Sequence, residues 1–177
     1  LAKRMGHLIM PRSPLKALLV HGLMRLIGLI PALRIYFEEL KIKPANRFER
    51  GLLVVSKQTG GQLAQGLVRQ AGKPIQLSDE LLGDKLTLIG FAVDPQAALD
   101  DATRERWLTR GGQFLQIGLR GQHGNSTTLF AEDMNDTRAP VMGRGRVAVV
   151  RPDRVIMHSG PAAQAQQMVE QCLTLLD

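Results

Sequence analysis

An α/β domain preceded by a basic helical segment is the fold class that this sequence predicts. Three observations lead to it. Charge divides the chain near residue 50: residues 1–50 hold ten Lys or Arg against three acids, and the rest holds 13 of each sign. From residue 72 onward, short apolar runs rich in Val, Ile, Leu and Phe alternate with helical stretches, separated by Gly and Pro. The chain then ends on a stripe of apolar residues at helical spacing.

Composition sets the outer limits. The apolar share of 44% belongs to a globular protein, and with aromatics at 4% the core must rest on Leu, Ile, Val and Met. The chain opens at Leu1, which implies processing or a start inside a longer polypeptide, and no secretory leader is apparent. One cysteine, Cys172, cannot form an internal disulfide and has no metal-ligand spacing around it. A cytoplasmic setting is the expectation.

In the basic segment, Pro14 and Pro31 bracket a helix with Leu15, Leu18, Leu19, Gly22, Leu23, Leu26, Ile27 and Ile30 on one face. Its 16 residues and the charges of Lys16 and Arg25 fall short of a membrane span, which needs about 18–20 mostly apolar residues. It reads instead as a helix that packs on a core lying outside this sequence. A basic arm can also grip nucleic acid or a membrane surface, but the aromatic interleaving that stacks bases is missing. A second helix is expected over Leu33–Leu40, followed by an irregular connector from Pro44 to Arg50.

The neutral part, 51–177, reads as a second domain. Gly72-Lys73-Pro74 is a turn and Ile75–Leu77 a short extended piece. Ser78 is expected to cap a helical turn, Asp79–Leu82, closed by Gly83. Leu86–Val93 is a strand buried on both faces. Asp94-Pro95 is expected to open a helix running to about Arg110, with Asp94 as its cap. Gln113–Leu119 is the next strand. Arg120–Met142 reads as a loop with a short helix near Leu129–Met134. Arg146–Val150 and Arg154–His158 form a hairpin about Arg151-Pro152-Asp153, and Ala163–Leu176 is the closing helix. A β-α-β unit feeding an antiparallel hairpin and a final helix is the thioredoxin topology, so the second domain is expected to be a thioredoxin-like sandwich.

That topology raises a redox hypothesis, which the residues oppose. A thioredoxin site needs two cysteines at the start of the helix after the first central strand, and that place reads Asp94-Pro95-Gln96-Ala97. Pro140 stands several residues before the third strand, where thioredoxins put a cis proline directly ahead of it. Cys172 lies on the closing helix's apolar stripe and reads as a small buried hydrophobe. His7, His21, His123 and His158 are isolated, with no metal-site spacing. Ser126–Thr128 after Asn125 have no adjacent base and read as capping residues. Asp94 and Asp153 read as helix cap and turn former. Gly118, Gly121 and Gly124 read as loop glycines, and Gly143-Arg144-Gly145-Arg146 as a turn before a strand. No catalytic, cofactor-binding or metal-binding residue is assigned.

Two sets of motifs carry a resemblance. Residues 72–90 resemble the opening of the C-terminal domain of flavoprotein aromatic hydroxylases, and Val149–Ile156 their terminal hairpin with its Arg-Pro-Asp. Met10-Pro11-Arg12, Leu26–Leu29, Tyr36-Phe37 and Lys41–Pro44 with Arg47-Phe48 are similar to the helices that end the flavin module of 3-(3-hydroxyphenyl)propionate hydroxylases. The likeness spans nearly the whole chain. It implies a parent enzyme in phenolic acid breakdown that uses FAD and NAD(P)H to hydroxylate an activated phenol with O₂. The G-x-G-x-x-G fingerprint for FAD is absent here, so this part is expected to bind no cofactor and to be inactive alone. Its implied partners are the flavin module of the same polypeptide and, in an oligomer, another copy, with no nucleic acid and no membrane. The different class to weigh is a stand-alone binding module that uses its basic amphipathic helix on an anionic partner.

Overall fold

The computed structural model describes residues 13–28, 47–124, 128–135 and 143–177. The chain divides into two compact units, Leu1–Ala45 and Asn46–Asp177.

In the first unit, helix α1 spans Pro14–Gly28. Ser13 caps it: its hydroxyl accepts from Lys16 N at 3.3 Å and its carbonyl from Ala17 N at 3.0 Å. Leu15, Leu18, Leu19, Leu23 and Leu26 all stay exposed. No helix among the described residues is long and apolar enough to cross a membrane. The helix expected over Leu33–Leu40, the motifs at Met10–Arg12, Tyr36-Phe37 and Lys41–Pro44, and Pro140 lie outside the described residues.

The second unit is built on a seven-stranded sheet in the order β2-β1-β5-β4-β3-β6-β7. Its strands are β1 (Leu67–Arg69), β2 (Ile75–Leu77), β3 (Thr87–Phe91), β4 (Gln113–Gly118), β5 (Leu129–Asp133), β6 (Arg146–Val150) and β7 (Ile156–Pro161). Helix α2 (Ser78–Leu82) follows β2, α3 (Asp101–Thr109) joins β3 to β4, and α4 (Ala165–Leu176) closes the chain. β3 and β4 run parallel, β6 is antiparallel to β3, and β7 is antiparallel to β6. This is a thioredoxin-like arrangement, enlarged on one side by β5, β1 and β2.

The period-2 alternation of strands splits the core. Leu88, Phe114, Val147, Val149 and Met157 face α3 and α4, packing with Trp107, Met168, Val169, Cys172 and Leu173. Ile89, Leu115, Ile117, Ala148 and Val150 face the other way, packing with Leu63, Leu82 and Ile156. Trp107 is wholly buried and its Nε1 donates to Gln113 O at 3.1 Å. A Cβ on Gly112 would lie 2.5 Å from that indole, so only glycine fits at the α3–β4 turn.

Four local expectations are corrected. Leu129–Asp133 is strand β5, not a helix: Leu115–Gly118 pair with it in parallel and Val68-Arg69 pair antiparallel on its other side. Two-sided pairing decides the state of a pentapeptide, Leu129-Phe130-Ala131-Glu132-Asp133, too short to show a period of its own. The helix after β3 starts at Asp101 rather than at Pro95, because Asp100 caps it by accepting from Thr103 N at 2.7 Å. Ser78 is the first residue of α2 and not its cap; the backbone N–H of Gly66 donates to its hydroxyl at 3.3 Å. The last strand starts at Ile156, because Arg154 takes a left-handed conformation with φ of 69°. Its guanidinium donates to the carbonyls of Asp79 (3.1 Å) and Gly83 (2.7 Å), tying the Arg151–Asp153 hairpin to α2.

Of the segment read as a connector, residues 47–50 belong to this unit. Phe48 N donates to Gly60 O at 2.8 Å and Arg47 bridges Gly61. Val54 N and Gly60 N then donate to the β7 carbonyls of Met157 and Ile156, both at 2.9 Å. Residues 47–61 thereby cover what would be an open edge of the sheet.

Candidate functional site

In a thioredoxin-like sheet the chemistry is expected where β3 passes into α3. Here the chain folds back sharply after β3: a Cβ on Gly90 would lie 2.1 Å from Val93 O, and Ala92 is left-handed with φ of 57°. The next residues close on themselves. Asp94 Oδ1 accepts from Gln96 N at 3.0 Å and from Thr128 Oγ1 at 3.1 Å, and Gln96 Nε2 donates to Thr128 Oγ1 at 2.6 Å. Gln96 and Thr128 are buried. This triangle ties the β3–α3 loop to the start of β5. Asp94 therefore acts as a turn former and not as the helix cap.

The triangle holds no thiol. It ties the β3–α3 loop to β5 and offers no thiolate for disulfide exchange. Cys172 is buried on α4, and burial pushes its thiol up to about 12, so it stays protonated at neutral pH.

The first βα unit also does not fit a dinucleotide. A pyrophosphate needs a glycine-rich turn and a free helix N-terminus. The β3–α3 turn carries Pro95 and Gln96, and the Asp100 carboxylate already occupies the N-terminus of α3. Its hydrogen bonds from Thr103 hold the Asp100 carboxyl below its ordinary value. Gly118 and Gly124 are packing glycines: a Cβ on either would lie 2.5 Å from the Phe130 ring. Gly121 is a turn residue with φ of 75°. Gly143 and Gly145, also left-handed, form the turn before β6.

The remaining candidates are dispersed. His158 is committed to structure: its Nδ1 accepts from Ser159 N at 2.9 Å and its Nε2 lies 2.8 Å from Gln171 Oε1. His123 is exposed on the β4–β5 loop. His7, Asn125, Ser126 and the side chain of His21 lie outside the described residues. Asp153 forms the hairpin turn, with Val155 N donating to Oδ1 at 3.3 Å and Arg151 Nη2 paired to Oδ2 at 2.6 Å. Among the described residues no three His, Cys, Asp or Glu side chains gather as a metal site. The sequence reads Thr128 as a capping residue and misses its bond to Gln96, because their separation of 32 residues leaves no local signal.

Comparison with known proteins adds a family. The family model described as the HcaD C-terminal domain matches residues 60–175. A 3-(3-hydroxy-phenyl)propionate/3-hydroxycinnamic acid hydroxylase from Burkholderia cenocepacia (strain HI2424) is 30% identical over 92% of this chain and 32% of its own length. The chain thus spans about a third of the curated relatives it matches. The flavin-dependent monooxygenase PieE, solved with FAD and substrate, superposes on 99% of this chain and 32% of that one, with a TM-score of 0.57 at 16% identity. A putative thiol:disulfide interchange protein DsbE from Chlorobium tepidum covers 67% of this chain and 98% of its own, at a TM-score of 0.51 and 11% identity. At such identities the two structures speak for the fold alone.

Proposed function

The chain belongs to the HcaD C-terminal domain family, and from that membership we propose that it is the closing, non-catalytic domain of an FAD-dependent, NAD(P)H-using aromatic hydroxylase. In this reading residues 1–50 end the flavin and substrate module, and residues 51–177 form the thioredoxin-like domain that follows it. The domain's work is mechanical: it packs against the flavin module of the same polypeptide. The exposed leucines of α1 supply an apolar face for that contact.

The observation that carries this reading is the Asp94–Gln96–Thr128 triangle. It stands where a thioredoxin-like protein would need its thiols, which supports a scaffold role. The capped N-terminus of α3 points the same way for FAD.

The test compares the 177-residue chain with the whole reading frame from which it comes. The long protein should purify with a flavin spectrum and oxidise NADH or NADPH in the presence of a phenolic acid. The 177-residue chain should be colourless and inactive, and should not reduce insulin disulfides. A stoichiometric flavin spectrum in the short chain, or insulin reduction that persists in Cys172→Ala, would overturn the non-catalytic role. Tight binding to DNA or RNA that weakens steeply with salt would replace this reading with that of an anion-binding module.

A further inference from the structure

A second region of the domain has the construction of a ligand site. A cleft of about 670 Å³ lies between the β1–β2 turn, the β4–β5 loop and β5, and its walls include Gln70, Lys73, His123, Phe130 and Glu132. Gln70 is 9% exposed. Its Oε1 accepts from Lys73 Nζ at 3.0 Å and from Gln76 Nε2 at 3.3 Å. A lysine only donates, so Lys73 fixes which end of the amide is oxygen. The Nε2 group is left with two N–H donors and, among the described residues, no acceptor. Solvent reaches this group, so its donors are open to a molecule that enters the cleft.

The charges around it are unequal. Arg69 donates Nε (3.1 Å) and Nη2 (2.7 Å) to Glu132 Oε2, while Gly121 N donates to Glu132 Oε1 at 3.1 Å. The Arg69 guanidinium and the Gly121 N–H hold the Glu132 carboxyl below its ordinary value, so that pair is internally neutral. Lys73 Nζ donates to a neutral amide oxygen, and among the described residues no carboxylate pairs with it. The cleft thus presents one net positive charge beside an unused amide donor. Its aromatic wall is held in place: Gly118 and Gly124 lie so close to the Phe130 ring that a Cβ on either would sit 2.5 Å from it.

We propose that this cleft binds the carboxylate of a small planar organic acid, with the carboxylate between Lys73 Nζ and Gln70 Nε2 and the flat body against Phe130. One ammonium matches a monoanion, and a ring face recognises a planar partner by stacking. The proposal does not depend on the role proposed for the domain.

The test uses the 177-residue chain and benzoate as probe, followed through the side-chain amide signal of Gln70 in nitrogen–proton NMR spectra. Saturable shifts of that signal are expected, with weaker binding of cyclohexanecarboxylate and inorganic phosphate. Lys73→Gln, a change at an exposed residue, should weaken benzoate binding about tenfold. Lys85→Gln, which removes the same charge elsewhere, should leave it unchanged. The proposal is overturned if the Gln70 signal does not saturate, if the two lysine variants behave alike, or if cyclohexanecarboxylate or phosphate binds as well as benzoate.

Discussion

Helices α1 and α4 carry the same kind of apolar stripe and meet opposite fates. On α4, Met168, Val169, Cys172 and Leu173 are no more than 2% exposed, packed on the sheet. On α1, Leu15, Leu18, Leu19, Leu23 and Leu26 are 59–72% exposed. Helical periodicity reports that a face wants burial and does not report what buries it. For α4 the partner is the sheet beside it. For α1 the partner we propose is the flavin module, and the difference between the two helices can be broken experimentally in several ways.

The largest effect should come from placing a charge in each stripe. Val169→Asp buries a carboxylate against Trp107 and Val149 and should cost at least about 4 kcal/mol, enough to prevent folding. Leu19→Asp should change stability by no more than about 0.5 kcal/mol and should reduce self-association. Urea denaturation and light scattering on both variants decide it; equal destabilisation would mean that α1 is buried after all.

Truncation gives the next effect. Leu173→Ala should cost about 2–5 kcal/mol through the cavity it leaves, whereas removal of residues 1–45 with all of α1 should leave the urea midpoint of the sheet unchanged. Cutting instead after residue 61 strips the cover from β7 and should lower the midpoint and promote aggregation. Size-exclusion chromatography at several concentrations separates these outcomes.

Cys172 offers a finer probe of the α4 seam. Burial pushes its folded thiol from the ordinary value of 9.0 up to about 12. A raised pKa means that the stability it reports is intact below 9 and is lost as pH rises through 9 toward 12, where the unfolded thiol ionises first. A thiol reagent at neutral pH should label the protein only as fast as it unfolds. Rapid labelling of the native chain would show that the seam opens locally.

The smallest effect concerns the cap of α3. The carboxyl of Asp100 is held below 3.8 by its bonds with Thr103. A depressed carboxylate contributes above its unfolded value and loses that contribution as pH falls through the lower folded one. Asp100→Asn keeps an acceptor at the cap and should remove that part of the acid sensitivity. An unchanged acid-denaturation curve would count against the cap.

Much of the fold was legible because its signals are local. Leu86–Val93 and Gln113–Leu119 announce themselves as buried strands by composition, Arg151-Pro152-Asp153 by turn chemistry, and Ala163–Leu176 by period, with the helix itself starting at Ala165. The hydroxylase resemblance was equally readable, since it rests on short motifs in order. Other features depended on contacts far apart in sequence. Two nearby aspartates, Asp94 and Asp100, could each open the helix after β3; Thr128, 34 residues on, engages the first and leaves the second to cap. The short run Leu129–Asp133 became a strand between two partners.

By itself, then, the sequence determined the α/β class, the thiol-free β3–α3 junction, the buried place of Cys172 and the stripes of both helices, because each depends on residue type and spacing within a turn or two. Tertiary structure alone decided which stripe is covered, where β1 and β5 join the sheet, and that Gln70, Lys73 and Phe130 share one cleft. Those outcomes follow from strand pairing across some 60 residues, Arg69 opposite Glu132, and no local pattern encodes a register between segments so far apart.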